Sequence, residues 1–147
     1  MDEHSYLSGY ADGEGCFCVT FNRSRRHRFG WDIRPSFSVS QNSDRAEILK
    51  LFQESFQCGT IRPDRSDKTL KYEVRSVAQL AAIVVPHFVR YPLLSSKAEE
   101  FGMFAAIVSL MHNGEHLKRE GFGKIVQLAE QLNKSGKKRY VRSQIKV

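Results

Sequence analysis

Residues Leu7-Ser8-Gly9-Tyr10-Ala11-Asp12-Gly13-Glu14-Gly15 run directly into Cys16-Phe17-Cys18-Val19-Thr20-Phe21-Asn22. The change of period between these two stretches decides the fold. In the first, Ser5, Gly9 and Gly13 recur every four residues, flanked by Ser8 and Asp12, while Tyr6, Leu7 and Tyr10 cover the other side. That spacing predicts a short helix over residues 3–11. Each helical Gly costs about 1 kcal/mol against Ala, so two on one stripe need a reason. One reason is a helix end, with Gly13 and Gly15 as C-terminal punctuation. The other is a second backbone approaching closely along the stripe. From Cys16 onward Phe17, Val19 and Phe21 alternate with polar or small residues, the pattern of a half-buried strand.

Outward from this junction the pattern repeats. Residues 23–30 form a basic turn, and a second strand follows with Ile33, Phe37 and Val39 inward. Pro35 marks that strand as irregular or near an edge. Ser43 and Asp44 start a helix carrying Ile48, Leu49, Leu51, Phe52 and Phe56, ended near Cys58-Gly59. Thr60–Arg62 and Leu70–Arg75 predict a second hairpin, with Tyr72 and Val74 inward. Ser76 caps a helix from Val77 to about Val85 that Pro86 breaks. Lys97–Met111 is an apolar helix, and Leu117–Leu132 an amphipathic one interrupted by Gly121 and Gly123. A basic tail, Lys134–Lys146, closes the chain. The order is helix, two strands, helix, two strands, then helices. This is an α+β chain with an antiparallel sheet.

The chain has 147 residues, of which 41% are hydrophobic, enough for a core and too many for wholesale disorder. One domain over residues 1–147 is expected at this length. No apolar run approaches the roughly 20 residues of a membrane span, so a soluble, intracellular protein is expected. Cys16, Cys18 and Cys58 are an odd set that argues against a disulfide scaffold. His112 and His116, separated by Gly114, make a poor zinc pair. The 23 Lys+Arg against 16 Asp+Glu give a net charge of +7. Such a balance favours an anionic partner, nucleic acid before an acidic membrane face. The outward positions of the strands carry Cys18, Thr20, Asn22, Asp32, Arg34, Ser36, Ser38, Ser40, Arg62, Lys71, Glu73 and Arg75, and Asp64 lies in the polar turn of the second hairpin. Ser24, Arg25, Arg26 and Arg28 extend the same surface. Polar outward residues suit any sheet covered on one side. Short hydrogen-bonding groups mixed with Arg and Lys also suit phosphate and base-edge contacts.

Asp12 and Glu14 stand where the first helix finishes. A helix C-terminus carries roughly −0.5 charge, so carboxylates are disfavoured there. A solvated Asp-Gly or Glu-Gly turn would account for them. So would a site built to hold a hard divalent cation, with Gly leaving carbonyl oxygens accessible. Two such ends meeting across a symmetry axis would place two acids near adjacent phosphates, the arrangement of two-metal phosphodiester hydrolysis.

Leu7 through Gly15 resembles the signature of the LAGLIDADG homing endonucleases. His87-Phe88, Tyr91-Pro92-Leu93 and Lys97 are similar to a further family segment. Glu115-His116-Leu117, Glu120-Gly121, Lys124-Ile125 and Leu132-Asn133 resemble the C-terminal segment of many members. Ser8 and Ala11 depart from the commonest residues but stay small. The resemblance implies an αββαββα fold with a saddle-shaped sheet and helices on one face. It implies an intron-encoded, metal-dependent endonuclease acting on a long pseudo-palindromic double-stranded DNA site. One motif copy implies a homodimer with Ser5, Ser8, Gly9, Asp12 and Gly13 at the interface. By motif position Glu14 would bind metal with the Gly15 carbonyl, while Asp12 supports the helix end. Gln41 would orient the water, Arg45 would contact the scissile region, and Lys97 would neutralise phosphate charge. The cation would be Mg²⁺, with Mn²⁺ or Ca²⁺ able to occupy the same site. The expected location is a bacterial cytoplasm or an organelle matrix or stroma. The competing reading is a cleavage-inactive relative, an intron RNA maturase or transcription regulator. Glu14 and Gln41 favour the nuclease, since neither is needed merely to hold DNA.

Overall fold

Helix α1 spans Glu3–Glu14, with the Asp2 carboxylate capping it through the His4 N–H at 3.1 Å. It hands the chain to β1 (Gly15–Arg23) without a loop. The helix thus runs past residue 11 and through Gly13, and the punctuating glycine is Gly15 alone. A Cβ there would lie 2.7 Å from the Ala11 carbonyl oxygen, so the turn from helix to strand requires glycine. The computed structural model describes residues 2–133, and the basic tail 134–146 lies outside them.

β1 pairs with β2 (Trp31–Asn42) from Gly15↔Val39 to Arg23↔Trp31. β2 also pairs with β4 (Ser66–Val74), and β4 with β3 (Thr60–Asp64), giving an antiparallel sheet in the order β1-β2-β4-β3. β2 is therefore central, yet Pro35 is tolerated. The β4 ladder reaches only to Phe37↔Val74, so at Pro35 the strand has a partner on the β1 side only. Pro63 sits in β3, the edge strand. The second hairpin is tighter than expected: β4 begins at Ser66 rather than Leu70. Arg65 takes a left-handed φ of 59° at the turn, with a register shift at Pro63/Asp64.

One sheet face is apolar. Phe17, Phe21 and Phe37 pack on Phe88, Phe104, Phe122 and Phe52 from the helices. Tyr72 and Val74 are buried as the alternation requires. Helix α2 (Glu47–Phe56) starts later than Ser43, because Ser43–Arg45 form a 3₁₀ turn and Ala46, with φ −94° and ψ 13°, separates the two. Its buried face is Ile48, Leu49, Phe52 and Phe56.

Ser76 caps the next helix, accepting from the Gln79 N–H at 3.2 Å. Pro86 does not break it. α3 (Val77–Gln79), a π-helical turn (Leu80–Val84) and α4 (Val85–Arg90) are continuous. In the π turn the Val85 N–H reaches the Leu80 carbonyl five residues back. That widened turn makes room where a proline ring would clash with an α-helical carbonyl. α5 (Lys97–His112) and α6 (Arg119–Leu132) complete the helical layer.

Gly121 does not interrupt α6. The 3₁₀ turn Glu115–Leu117 presses on it, and a Cβ at Gly121 would lie 2.0 Å from the Glu115 carbonyl oxygen. Gly102 of α5, by contrast, faces open space. Gly121→Ala is expected to destabilise the fold by about 1–3 kcal/mol through overpacking. Gly102→Ala should stabilise it by about 0.5–1 kcal/mol through helix propensity. Urea denaturation of both variants checks the pair.

Candidate active site and nucleic-acid face

The C-terminal turn of α1 collects most of the candidate catalytic residues. Asp12 faces the segment leading into α5. Its carboxylate accepts from the Leu94 N–H at 3.1 Å, the Ser95 N–H at 3.0 Å, and the Ser95 hydroxyl. These donors, the Ser95 hydroxyl foremost, lower its pKa despite some desolvation. Asp12 is thus committed to structure. Ser95 Oγ in turn accepts the Lys97 N–H at 3.2 Å.

The Lys97 side chain returns to α1. Its ammonium donates to the Gly15 carbonyl at 2.5 Å and to the Ala11 carbonyl at 3.3 Å. The last turn of α1 has no basic residue of its own, so α5 supplies the compensating charge. The Gly15 carbonyl, a candidate metal ligand, therefore already holds Lys97. Glu14 is exposed, and among the described residues no hydrogen bond or ion pair holds its carboxylate.

Gln41, two residues beyond the Gly15↔Val39 pair, donates from Nε2 to the Tyr10 hydroxyl. Its Oε1 accepts the Asn42 N–H at 2.8 Å. Tyr10 precedes Glu14 by four residues and shares its side of the helix, so Gln41 is tethered one turn from Glu14. Arg45 stands apart on the 3₁₀ turn, 66% exposed, with Asp44 at 3.6 Å.

Glu14 and neighbouring main-chain carbonyls are hard oxygen donors, which suit Mg²⁺ or Ca²⁺. Among the described residues no group of three or more His, Cys, Asp or Glu could hold a metal. A Mg²⁺ ion commonly takes one or two carboxylates and completes its shell with water and substrate phosphates, so the donor set fits.

The polar sheet face is ruled by the strand registers. Thr20 lies opposite Arg34 and Cys18 opposite Ser36; Ser40, Lys71 and Arg62 form one row, and Ser38, Glu73 and Thr60 another. Asn22 lies opposite Asp32 at its far end. Among the described residues its acids are paired: Asp32 with Arg34 at 2.7 Å, Glu73 with Arg62 at 2.9 Å and Arg75 at 3.9 Å, Asp64 with Lys71 at 3.8 Å. The arginine-rich turn divides. Arg25 and Arg26 are exposed beside Ser24, whereas Arg28 turns to the Leu117 carbonyl at 3.0 Å. Sequence reasoning missed Cys16 and Thr60, which share the polar face and were visible in the alternation. It also missed Tyr10 and Ser95, whose roles come from partners distant in sequence.

A family model described as LAGLIDADG endonuclease matches residues 7–108. The chain belongs to the LAGLIDADG endonuclease family. It is 32% identical over 130 residues to the Neurospora crassa protein named "Probable intron-encoded endonuclease 2", covering 88% of this chain. It spans 29% of that relative's length, and 24% and 25% of two further curated relatives. The homing endonuclease I-TnaI superposes with a TM-score of 0.84 at 32% identity, over 90% of this chain and 89% of that one. I-SmaMI, bound to an uncleaved DNA target in the presence of calcium ions, gives 0.89 at 27% identity. There the match covers 98% of this chain and 48% of that one. The α+β fold with its antiparallel four-stranded sheet is that of the LAGLIDADG enzymes.

The glycine stripe of the LAGLIDADG helix lies on its exposed side. A Cβ on Gly9 or Gly13 would meet nothing within 4 Å. Ser8, expected on this stripe, is instead buried on the inner face with Leu7 and Ala11. Its hydroxyl donates to the Tyr91 carbonyl at 2.6 Å, which leaves its oxygen to accept His87 Nε2–H at 3.0 Å. With Asp12 turned to Leu94 and Ser95, the open stripe is Ser5, Gly9 and Gly13.

Burial, reinforced by the neighbouring His4, pushes the His87 pKa down to about 4. In the unfolded chain it is near 6.5, so the unfolded state binds more protons between these values and stability falls as pH drops. From pH 6.5 to 4 the fold should lose up to about 3 kcal/mol from this group. His87→Gln should flatten that dependence in urea titrations at a series of pH values.

Proposed function

We propose that this chain is a site-specific, metal-dependent double-strand DNA endonuclease that acts as a homodimer. The observation that carries this is the open Glu14 carboxylate at the end of α1, with Lys97 held on the Gly15 and Ala11 carbonyls and Gln41 on the Tyr10 hydroxyl of the same helix. A polar sheet face bearing Arg34, Arg62, Lys71 and Arg75 adjoins it, and the fold supports the assignment. Coverage of only half of DNA-bound I-SmaMI by nearly all of this chain supports a second copy completing the unit. The stripe of Ser5, Gly9 and Gly13 offers the surface along which two α1 helices approach.

Glu14 would hold Mg²⁺, or Mn²⁺ or Ca²⁺ in its place; when bound, the cation supplies a Lewis acid and lowers the pKa of a bound water. Lys97 brings a positive charge to the phosphate as negative charge builds in the transition state. Gln41, fixed by Tyr10, offers an amide that orients water. Asp12 keeps Ser95, and through it Lys97, at the helix end. The outward side chains of the sheet contact phosphates and base edges in a groove.

The test is selection of cleaved sequences from a random DNA library with Mg²⁺ present, repeated with Glu14→Gln. The variant should lose at least about a hundredfold in nicking rate while keeping its DNA affinity in anisotropy titrations. Full cleavage by Glu14→Gln would remove Glu14 from the chemistry, and wild-type binding without cleavage would favour an inactive binding protein. Gly9→Leu should raise helix propensity yet abolish self-association in sedimentation velocity. A dimeric Gly9→Leu would displace the interface from this stripe.

A further inference from the structure

The partners of Lys97 suggest a role before DNA arrives. Its ammonium is half-buried against the Gly15 and Ala11 carbonyls, at 2.5 and 3.3 Å. The Ala11 carbonyl belongs to the negative last turn of α1, and the Gly15 carbonyl stands at its cap, one residue after Glu14. A lysine ammonium is a compact point charge on a flexible stem, able to leave one set of acceptors for another. Its backbone is held by Ser95 and Asp12, so the side chain can swing while its root stays fixed.

We infer that in the DNA-free protein Lys97 is an internal placeholder for the divalent cation, competing with it for the end of α1. This rests on the proposed metal site at Glu14. Two cations drawn to the same negative helix end repel each other, and loading the metal requires Lys97 to give up the Gly15 carbonyl. A DNA phosphate offers the displaced ammonium a new partner. Nucleic-acid binding and metal binding then assist each other, reciprocally as linkage demands. The free enzyme holds its metal weakly and gains affinity for it on the substrate.

The experiment measures Mn²⁺ binding to the DNA-free protein through the electron paramagnetic resonance signal of free Mn²⁺. Lys97→Met keeps the length of the side chain and removes the charge; it should tighten Mn²⁺ binding about tenfold, the worth of one charge-assisted hydrogen bond. Lys97→Arg, which keeps the charge, should stay within about twofold of wild type, and thermal melts confirm that both variants fold. Unchanged or weaker Mn²⁺ binding by Lys97→Met overturns the inference. Glu14→Gln separates the two readings. If it loses Mn²⁺ while Lys97→Met is unchanged, the placeholder fails and the metal site stands. If Glu14→Gln binds as wild type, or no protein binds Mn²⁺, the metal site at Glu14 fails and the placeholder with it.

Discussion

A helix that ends in carboxylates needs something positive to meet them, and the last turn of α1 organises this molecule around that need. Asp12 takes hydrogen-bond donors from Leu94 and Ser95. The carbonyls of Ala11 and Gly15 take the ammonium of Lys97. Both solutions come from a segment more than 80 residues away. The charge balance of one helix end therefore ties the first helix directly to the segment that opens the fifth. Glu14 is left over: among the described residues nothing pairs its carboxylate.

The inner side of α1 shows the complementary constraint. Leu7 and Ala11 are fully buried, and Ser8 enters the same face because Tyr91 and His87 satisfy its hydroxyl. With this face anchored to its own chain, the outer face can be spent on glycines that have no internal neighbour. The helix has one surface for folding, and on the proposed reading it keeps the other for a second copy of the chain.

What the sequence disclosed follows from how local each cause is. Alternation at Phe17, Val19 and Phe21, and at Ile33, Phe37 and Val39, revealed strands because a half-buried strand repeats every two residues. The helix-to-strand switch at Gly15 was legible for the same reason. Pro86 misled, since a π turn five residues long absorbs it and only tertiary packing rewards that turn. Gly121 read as an interruption, when a neighbouring carbonyl excluded a larger residue there. At the site, Glu14 stood out as an acid at the wrong end of a helix. Tyr10 behind Gln41 and Ser95 behind Lys97 carried no such signal, because their importance lies in contacts made across the fold. Ser8 and Arg28 show the converse: residue type suited a surface role, and hydrogen bonds to Tyr91 and Leu117 turned them to their own chain.

The register of the sheet also sets a length scale. Outward side chains recur about every 6.6 Å along a strand, close to two base-pair steps of about 3.4 Å. Because Thr20 stands opposite Arg34 and Cys18 opposite Ser36, neighbouring strands place their side chains in common rows. A duplex laid along these strands would meet a ruler graduated in pairs of bases. Arg34, Arg62, Lys71 and Arg75 are long enough to lean between the graduations, whereas Thr20, Ser36 and Ser40 are not. Resolution finer than two base pairs would fall to those four cations, to water bridges and to the willingness of the duplex to bend.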